Sequence, residues 1–165
     1  MQIDVLFQSW MQAIEVPFLT HLSEFVAIIT EPWLLLLLSF IIGVNLYFLK
    51  SKKQGVFFFL MILLTGILIK VLKAIFQRAR PLESLILESG YSFPSGHATM
   101  AMVFFGLVGY LFVKKKHLYG IILSILLVGF TRAYLGAHWL TDVLGGYVLG
   151  GIILVLGILI YRKIK

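Results

Sequence analysis

Three short polar clusters interrupt an otherwise apolar stretch between Lys73 and Asp142. The first is Lys73, Arg80 and Pro81. The second is Pro94-Ser95-Gly96-His97. The third is Thr131, Arg132, His138 and Asp142. Pooled, they offer cations, a helix start, two histidines and a carboxylate. If the fold gathers them, that set suits a phosphate: fixed donors for its oxygens, a nucleophile on one side and an acid on the other.

Taken singly, each cluster has a plainer reading as well. Lys73 and Arg80 are two helical turns apart, which puts them on one face of a continuous helix. Pro81 then ends the helix or turns the chain away. A lone cation near a span end is a snorkelling anchor, and this reading suits Lys70 and Arg78. Lys73 lies behind Arg80 in the span, where an unpaired charge costs about 2.5–3.5 kcal/mol on insertion scales, so it needs a partner. Anchoring and anion binding fit these two residues equally. In the second cluster, Ser95 can cap a helix, and Gly96 lets a ligand approach free N–H groups at its start. A capped helix with an interfacial histidine also fits. In the third, His138 and Asp142 share a helical face if the turn between them is regular. Asp142 could then bind one imidazole nitrogen and leave the other as a nucleophile. A polar pair capping the last span is the alternative. Metal binding lacks third and fourth ligands of suitable type nearby.

The elements that must position these residues are membrane helices. Of 165 residues, 61% are hydrophobic and only 13% charged, and mean hydropathy is +1.03, too little polar surface for a soluble domain. The expected fold is all-α, a single-domain polytopic membrane bundle over residues 1–165. Its five spans are Trp33 to Leu49, Val56 to Ile75, His97 to Val113, Leu118 to Leu135 and Val143 to Tyr161. Each has about 17–20 residues, enough for roughly 30 Å of hydrocarbon. Backbone satisfaction in lipid requires helices. Residues 1–31 are less apolar. Asp4, Gln8, Gln12 and Glu15 recur at helical spacing, opposite Val5, Leu6, Trp10 and Ile14. This pattern fits an amphipathic helix at the interface, kinked near Pro17, with a poor sixth span as the rival. Met1 to Trp10 has no basic n-region, so no cleavable signal peptide is expected. The chain has no cysteine, which excludes disulfides and thiolate chemistry.

The net charge of +7 would suggest nucleic acid in a soluble protein. Here the positives sit between spans and act as topology signals, so no nucleic-acid partner is expected. Lys50, Lys52 and Lys53, then Lys114 to Lys116, then Arg162, Lys163 and Lys165 fall on one side. By the positive-inside rule that side is cytoplasmic. The three polar clusters then face outward.

The order and gaps of the three clusters resemble the signature of the type-2 phosphatidic acid phosphatase superfamily. The similarity covers roughly residues 55–160, with Thr131 standing where the family usually has Ser. The resemblance implies a metal-independent membrane hydrolase with no cofactor. In it, His138 is the nucleophile that forms a phosphohistidine, and Asp142 orients it. His97 protonates the leaving oxygen and then activates water. Lys73, Arg80 and Arg132, with Ser95 and the Gly96 backbone, bind the phosphoryl oxygens. The implied substrate is a lipid phosphate or diphosphate, phosphatidylglycerol phosphate or undecaprenyl diphosphate, at the outer face of a bacterial plasma membrane. Hydrolysis of soluble phosphate esters and lipid binding or transport without turnover are the alternatives.

Overall fold

The computed structural model describes residues 2–164; Met1 and the Lys165 of the last basic cluster lie outside them. The order is α1 (Gln2–Ala13), α2 (Pro17–Ile29), α3 (Pro32–Leu49), α4 (Lys52–Phe76), α5 (Gly96–Phe112), α6 (Leu118–Tyr134) and α7 (Leu140–Ile164), with a 3-10 turn at Lys115–His117. No strand occurs among the described residues. The five expected spans correspond to α3 through α7. Four segments, at α3, α4, α6 and α7, are long and apolar enough to cross a membrane, and α5 is a shorter apolar helix of 17 residues.

The spans are nearly uniformly apolar, so small residues rather than amphipathic stripes choose the packing faces. On α3 the buried positions are Leu35, Ser39, Gly43 and Leu46, while Leu37, Phe40, Ile41, Val44 and Phe48 face outward toward lipid. The face is set by close approach: a Cβ on Gly55 of α4 would lie 2.3 Å from the Gly43 carbonyl oxygen. Helix α5 is the hub. Its buried run, including Ala98, Met100, Ala101, Val103, Phe104 and Leu107, packs among the neighbouring helices. The residue that opens this helix is therefore held at the centre of one end of the bundle, and His97 stands next to it.

The basic clusters share the other end. Arg162 lies over the Tyr110 ring at 5.8 Å, and Lys52 over the Tyr47 ring at 5.6 Å. Phe57 stacks on Tyr161 with centroids 4.5 Å apart.

The N-terminal region departs from the sequence expectation. It forms two helices bent by 120° at a break just before Pro17, and that proline is the first residue of α2. The amphipathic pattern is real but points the other way. The first half of the polar stripe is turned into the protein, with Asp4 and Gln8 buried beside Met11, while Gln12 and Glu15 stay exposed and Val5, Leu6 and Trp10 face out. The reason is chemical. Asp4 Oδ1 accepts from the Thr141 N–H at 3.0 Å, and Tyr134 Oη pairs with Thr20 Oγ1 at 3.0 Å, so the two helices close over the polar end of the bundle.

Single cysteines introduced at Lys115 and Leu85 of this cysteine-free chain are expected to be labelled from opposite sides of sealed vesicles. Labelling of both from the same side contradicts the topology.

Candidate active site

The site is built where α4 and α6 end and α5 and α7 begin, at the end of the bundle opposite the basic clusters, and in the connections between them. Helix α4 stops at Phe76, and Gln77 takes a left-handed conformation, φ 45°. The chain beyond is a loop, so Lys73 and Arg80 do not share a helix face as their spacing suggested. They meet through the loop instead: both line one cavity of about 430 Å³. Lys73 Nζ donates to the carbonyl oxygens of Tyr91 and, at 3.4 Å, Ser92. The partner demanded by its depth is backbone, not carboxylate. Arg80 donates to the carbonyls of Ala137 (2.6 Å), Gly90 (3.1 Å) and Ser89 (3.1 Å), which fixes the guanidinium against the turn that carries His138.

That turn exists because α6 ends in a glycine cap. Gly136 has φ 67°, and a Cβ there would lie 2.5 Å from the Glu83 carbonyl oxygen. The chain reverses in five residues, 135–139, and α7 begins at Leu140. Asp142 in the first turn of α7 reaches back to accept from the Trp139 N–H at 2.9 Å, the backward half of a capping box. Asp142 is fully buried and accepts from three more groups. Ser92 Oγ shares its Oδ2, Arg78 Nη1 holds its Oδ1, and its backbone carbonyl takes the Ser95 N–H at 3.0 Å. Close backbone approach makes that last contact possible: a Cβ on Gly146 would lie 2.9 Å from the Ser95 carbonyl oxygen.

His138 is 2% exposed. Its Nδ1 lies 3.6 Å from Asp142 Oδ2, an ion-pair separation longer than a formed hydrogen bond, and Nδ1 has no hydrogen-bond partner. Its Nε2 lies 3.3 Å from Arg80 Nη1. A guanidinium only donates, so Nε2 accepts there, and the ring proton belongs on Nδ1, facing Asp142. Burial, reinforced by Arg80, Lys73 and Arg132 against the pull of Asp142, brings the imidazole down to about 4. His138 is therefore a neutral ring near pH 7 with its lone pair toward the cations.

His97, also buried, lines the same cavity. Its Nε2 is 2.8 Å from Glu31 Oε2 and 3.2 Å from the Ala27 carbonyl oxygen. Both neighbours only accept, so Nε2 carries a proton. The imidazole beside Glu31 holds that carboxyl below the usual carboxylate range. Arg132 is 1% exposed and donates Nη2 to Glu88, which also lies 3.4 Å from Arg80 Nη2. A carboxylate thus sits between two guanidinium groups, as a phosphate would.

Gly96 lines the cavity, but Ser95 does not: it is buried, its N–H is spent on Asp142, and its Oγ makes only a long, 3.5 Å contact as N-cap of α5. Thr131 Oγ1 is likewise turned to the Val128 carbonyl oxygen at 2.8 Å. Three buried side-chain polar atoms lack a partner among the described residues, and two of them, Arg132 Nε and His138 Nδ1, are here. Nδ1 faces Asp142 across the 3.6 Å gap, so Arg132 Nε is the donor open to an added acceptor.

Sequence reading missed five participants. Arg78 is no snorkelling anchor: it bridges Asp142 and Asp4, the latter at 2.7 Å, and donates to Thr141 Oγ1 at 2.6 Å. Asp4, Ser92, Glu31 and Glu88 were the others. Buried positions of Asp4 and Gln8 on one stripe carried a signal. Ser92 and Glu31 sit in connections, where no periodicity marks them.

Residues 54–165 match the family model described as PAP2 superfamily. Phosphatidylglycerophosphatase B of Bacillus subtilis is 36% identical over 155 residues, 78% of this chain and 76% of that protein. An undecaprenyl-diphosphatase of Sulfolobus acidocaldarius is 32% identical over 113 residues, 64% of this chain but only 54% of that longer protein. The crystal structure of a transmembrane PAP2-type phosphatidylglycerolphosphate phosphatase from Bacillus subtilis superposes with TM-score 0.85 at 33% identity, covering 98% of this chain and 86% of that one.

Replacing Glu88 by Gln removes the anion that competes for Arg80 and Arg132. Inorganic phosphate is expected to bind roughly 3–10-fold more tightly, about 0.7–1.4 kcal/mol, by calorimetry of the detergent-solubilised protein. Unchanged or weaker binding would show that Glu88 does not stand in the anion site.

Proposed function

This chain belongs to the PAP2 superfamily and is a membrane lipid phosphatase, and we propose that it works through a phosphohistidine on His138. One observation carries the reading. The cavity that holds Lys73, Arg80, His97 and His138 at its polar end continues between α3, α4 and α5 along Leu36, Ile62, Ile67 and Met100. A lipid phosphate has that same polarity, a charged head on an apolar tail.

In the first step His138 Nε2 attacks phosphorus in line. The P–O bond to the lipid breaks, and His97, which enters the step as the imidazolium beside Glu31, gives its Nε2 proton to the leaving oxygen and becomes neutral. Charge that builds on the phosphoryl oxygens meets Arg80, Arg132 and Lys73, which are already fixed by carbonyls and Glu88 and need little reorganisation. Asp142 accepts from Nδ1–H and stabilises the cationic ring that forms, and the 3.6 Å gap is expected to close as charge develops. In the second step His97, now neutral, takes a proton from water. The water oxygen attacks the phosphohistidine, the P–N bond breaks, and inorganic phosphate leaves. Ser95 serves by linking α5 to Asp142, and the Gly96 backbone borders the phosphoryl group. This chemistry asks for no metal or cofactor.

The substrate is a lipid phosphate or diphosphate, with phosphatidylglycerol phosphate and a polyprenyl diphosphate as the candidates suggested by the named relatives. The positive-inside rule supports a site on the outer face of the membrane, opposite the Lys114–Lys116 cluster, and the bacterial relative supports a bacterial plasma membrane.

Purified protein is expected to release phosphate from such a lipid in micelles, and His138→Ala to lower kcat at least 10³-fold with the fold intact by circular dichroism. Near-normal turnover in that variant would contradict the mechanism. The pH profile follows from His138, which must be neutral to attack. Its value of about 4 keeps it so through the mildly acidic range, so the acid limb of kcat/KM lies well below the 6.5 of an ordinary histidine. An acid limb at 6.5 or above would contradict the assignment.

A further inference from the structure

Among the described residues Lys70 has no hydrogen bond and no ion pair, although it lies on a membrane-spanning helix and lines the same cavity as Arg80, His97 and His138. The other cations around the site are all engaged: Lys73 with two carbonyls, Arg80 with three, and Arg132 with Glu88. Lys70 is six residues before the end of α4, roughly 9 Å into the helix at 1.5 Å per residue. It stands one turn below Lys73, on the tail side of the phosphoryl cradle. The wall beside it is open: a Cβ on Gly66, one turn further down, would meet nothing within 4 Å. Both carboxylates that line this cavity are engaged elsewhere, Glu31 with His97 at 2.8 Å and Glu88 with Arg80 and Arg132.

An ionisable residue at such depth calls for a partner, and none of the protein's own groups serves. We propose that Lys70 binds a second phosphate of the substrate, the one between the scissile phosphoryl group and the tail. The inference rests on the phosphatase reading above and narrows it. The preferred substrate carries two phosphates in series, either joined through a polyol, as in phosphatidylglycerol phosphate, or directly, as in a prenyl diphosphate. Phosphatidic acid, with one phosphate, has nothing to offer Lys70. A lysine that merely snorkels to the headgroups would treat all three lipids alike.

The test compares wild-type protein, Lys70→Gln and Lys70→Arg on phosphatidylglycerol phosphate, a prenyl diphosphate and phosphatidic acid, at matched surface concentration in mixed micelles. Lys70→Gln is expected to raise KM about 5–10-fold for a two-phosphate lipid with kcat within 2-fold. KM for phosphatidic acid stays within 2-fold, and Lys70→Arg restores the wild-type value. A KM rise confined to the polyol-linked or to the directly linked lipid supports the subsite and identifies its source. Equal changes on all three lipids, or no change on any, overturn it. Wild-type protein that hydrolyses none of the three overturns the phosphatase reading, and the subsite with it.

Discussion

The structure depends on how one buried charge is compensated. Asp142 is 0% exposed, at the end of a bundle built for lipid, where an uncompensated carboxylate costs several kcal/mol. It is stabilised by the Trp139 N–H, Ser92 Oγ and Arg78, and it faces the proton-bearing side of His138. Those groups come from three separate stretches of chain. Satisfying one carboxylate therefore ties the two ends of the α4–α5 connection, at Arg78 and Ser92, and the start of α7 into one piece. Arg78 extends the tie to Asp4, which explains why α1 turns the first half of its polar stripe inward and its apolar side out.

Once that knot is tied, the rest of the site is held in a condition that favours a bound anion. The guanidinium group of Arg80 is anchored but not neutralised by backbone carbonyls, and a loop carboxylate, Glu88, lies between it and Arg132. Arg132 Nε is left without an acceptor. In a site of low effective dielectric such donors act strongly on charge that develops beside them, because they do not have to turn toward it. The same burial keeps His138 neutral, so in the proposed mechanism one environment would both bind the phosphoryl oxygens and keep the nucleophile in its reactive form.

Much of this was legible in the sequence, for a physical reason. Lipid forces each backbone to satisfy itself, so the five apolar helices α3 to α7 follow from apolar run lengths alone, and lysine clusters at Lys50–Lys53 and Lys114–Lys116 mark their common end. Polar residues are few, so those that interrupt the runs stand out, and His97, His138 and Asp142 were visible as a set. What failed was helix geometry extended past a helix end. Lys73 and Arg80 were placed on one face, but Gln77 in a left-handed conformation ends α4 between them. Arg78 looked like an anchor because its partners, Asp4 and Asp142, are 74 and 64 residues away. Glu31, Glu88 and Ser92 lie in connections, where neither periodicity nor spacing separates a site residue from a solvated one.

The central claim is that His138 Nε2 becomes bonded to phosphorus. The most direct measurement is an alkaline rapid quench of the protein turning over a lipid labelled with ³²P on its terminal phosphate, followed by peptide mapping. The account predicts label on protein within the first turnover, stable to alkali and lost in acid as expected for a P–N bond, in the peptide containing His138. Label on another residue, or none while phosphate is being released, would contradict it.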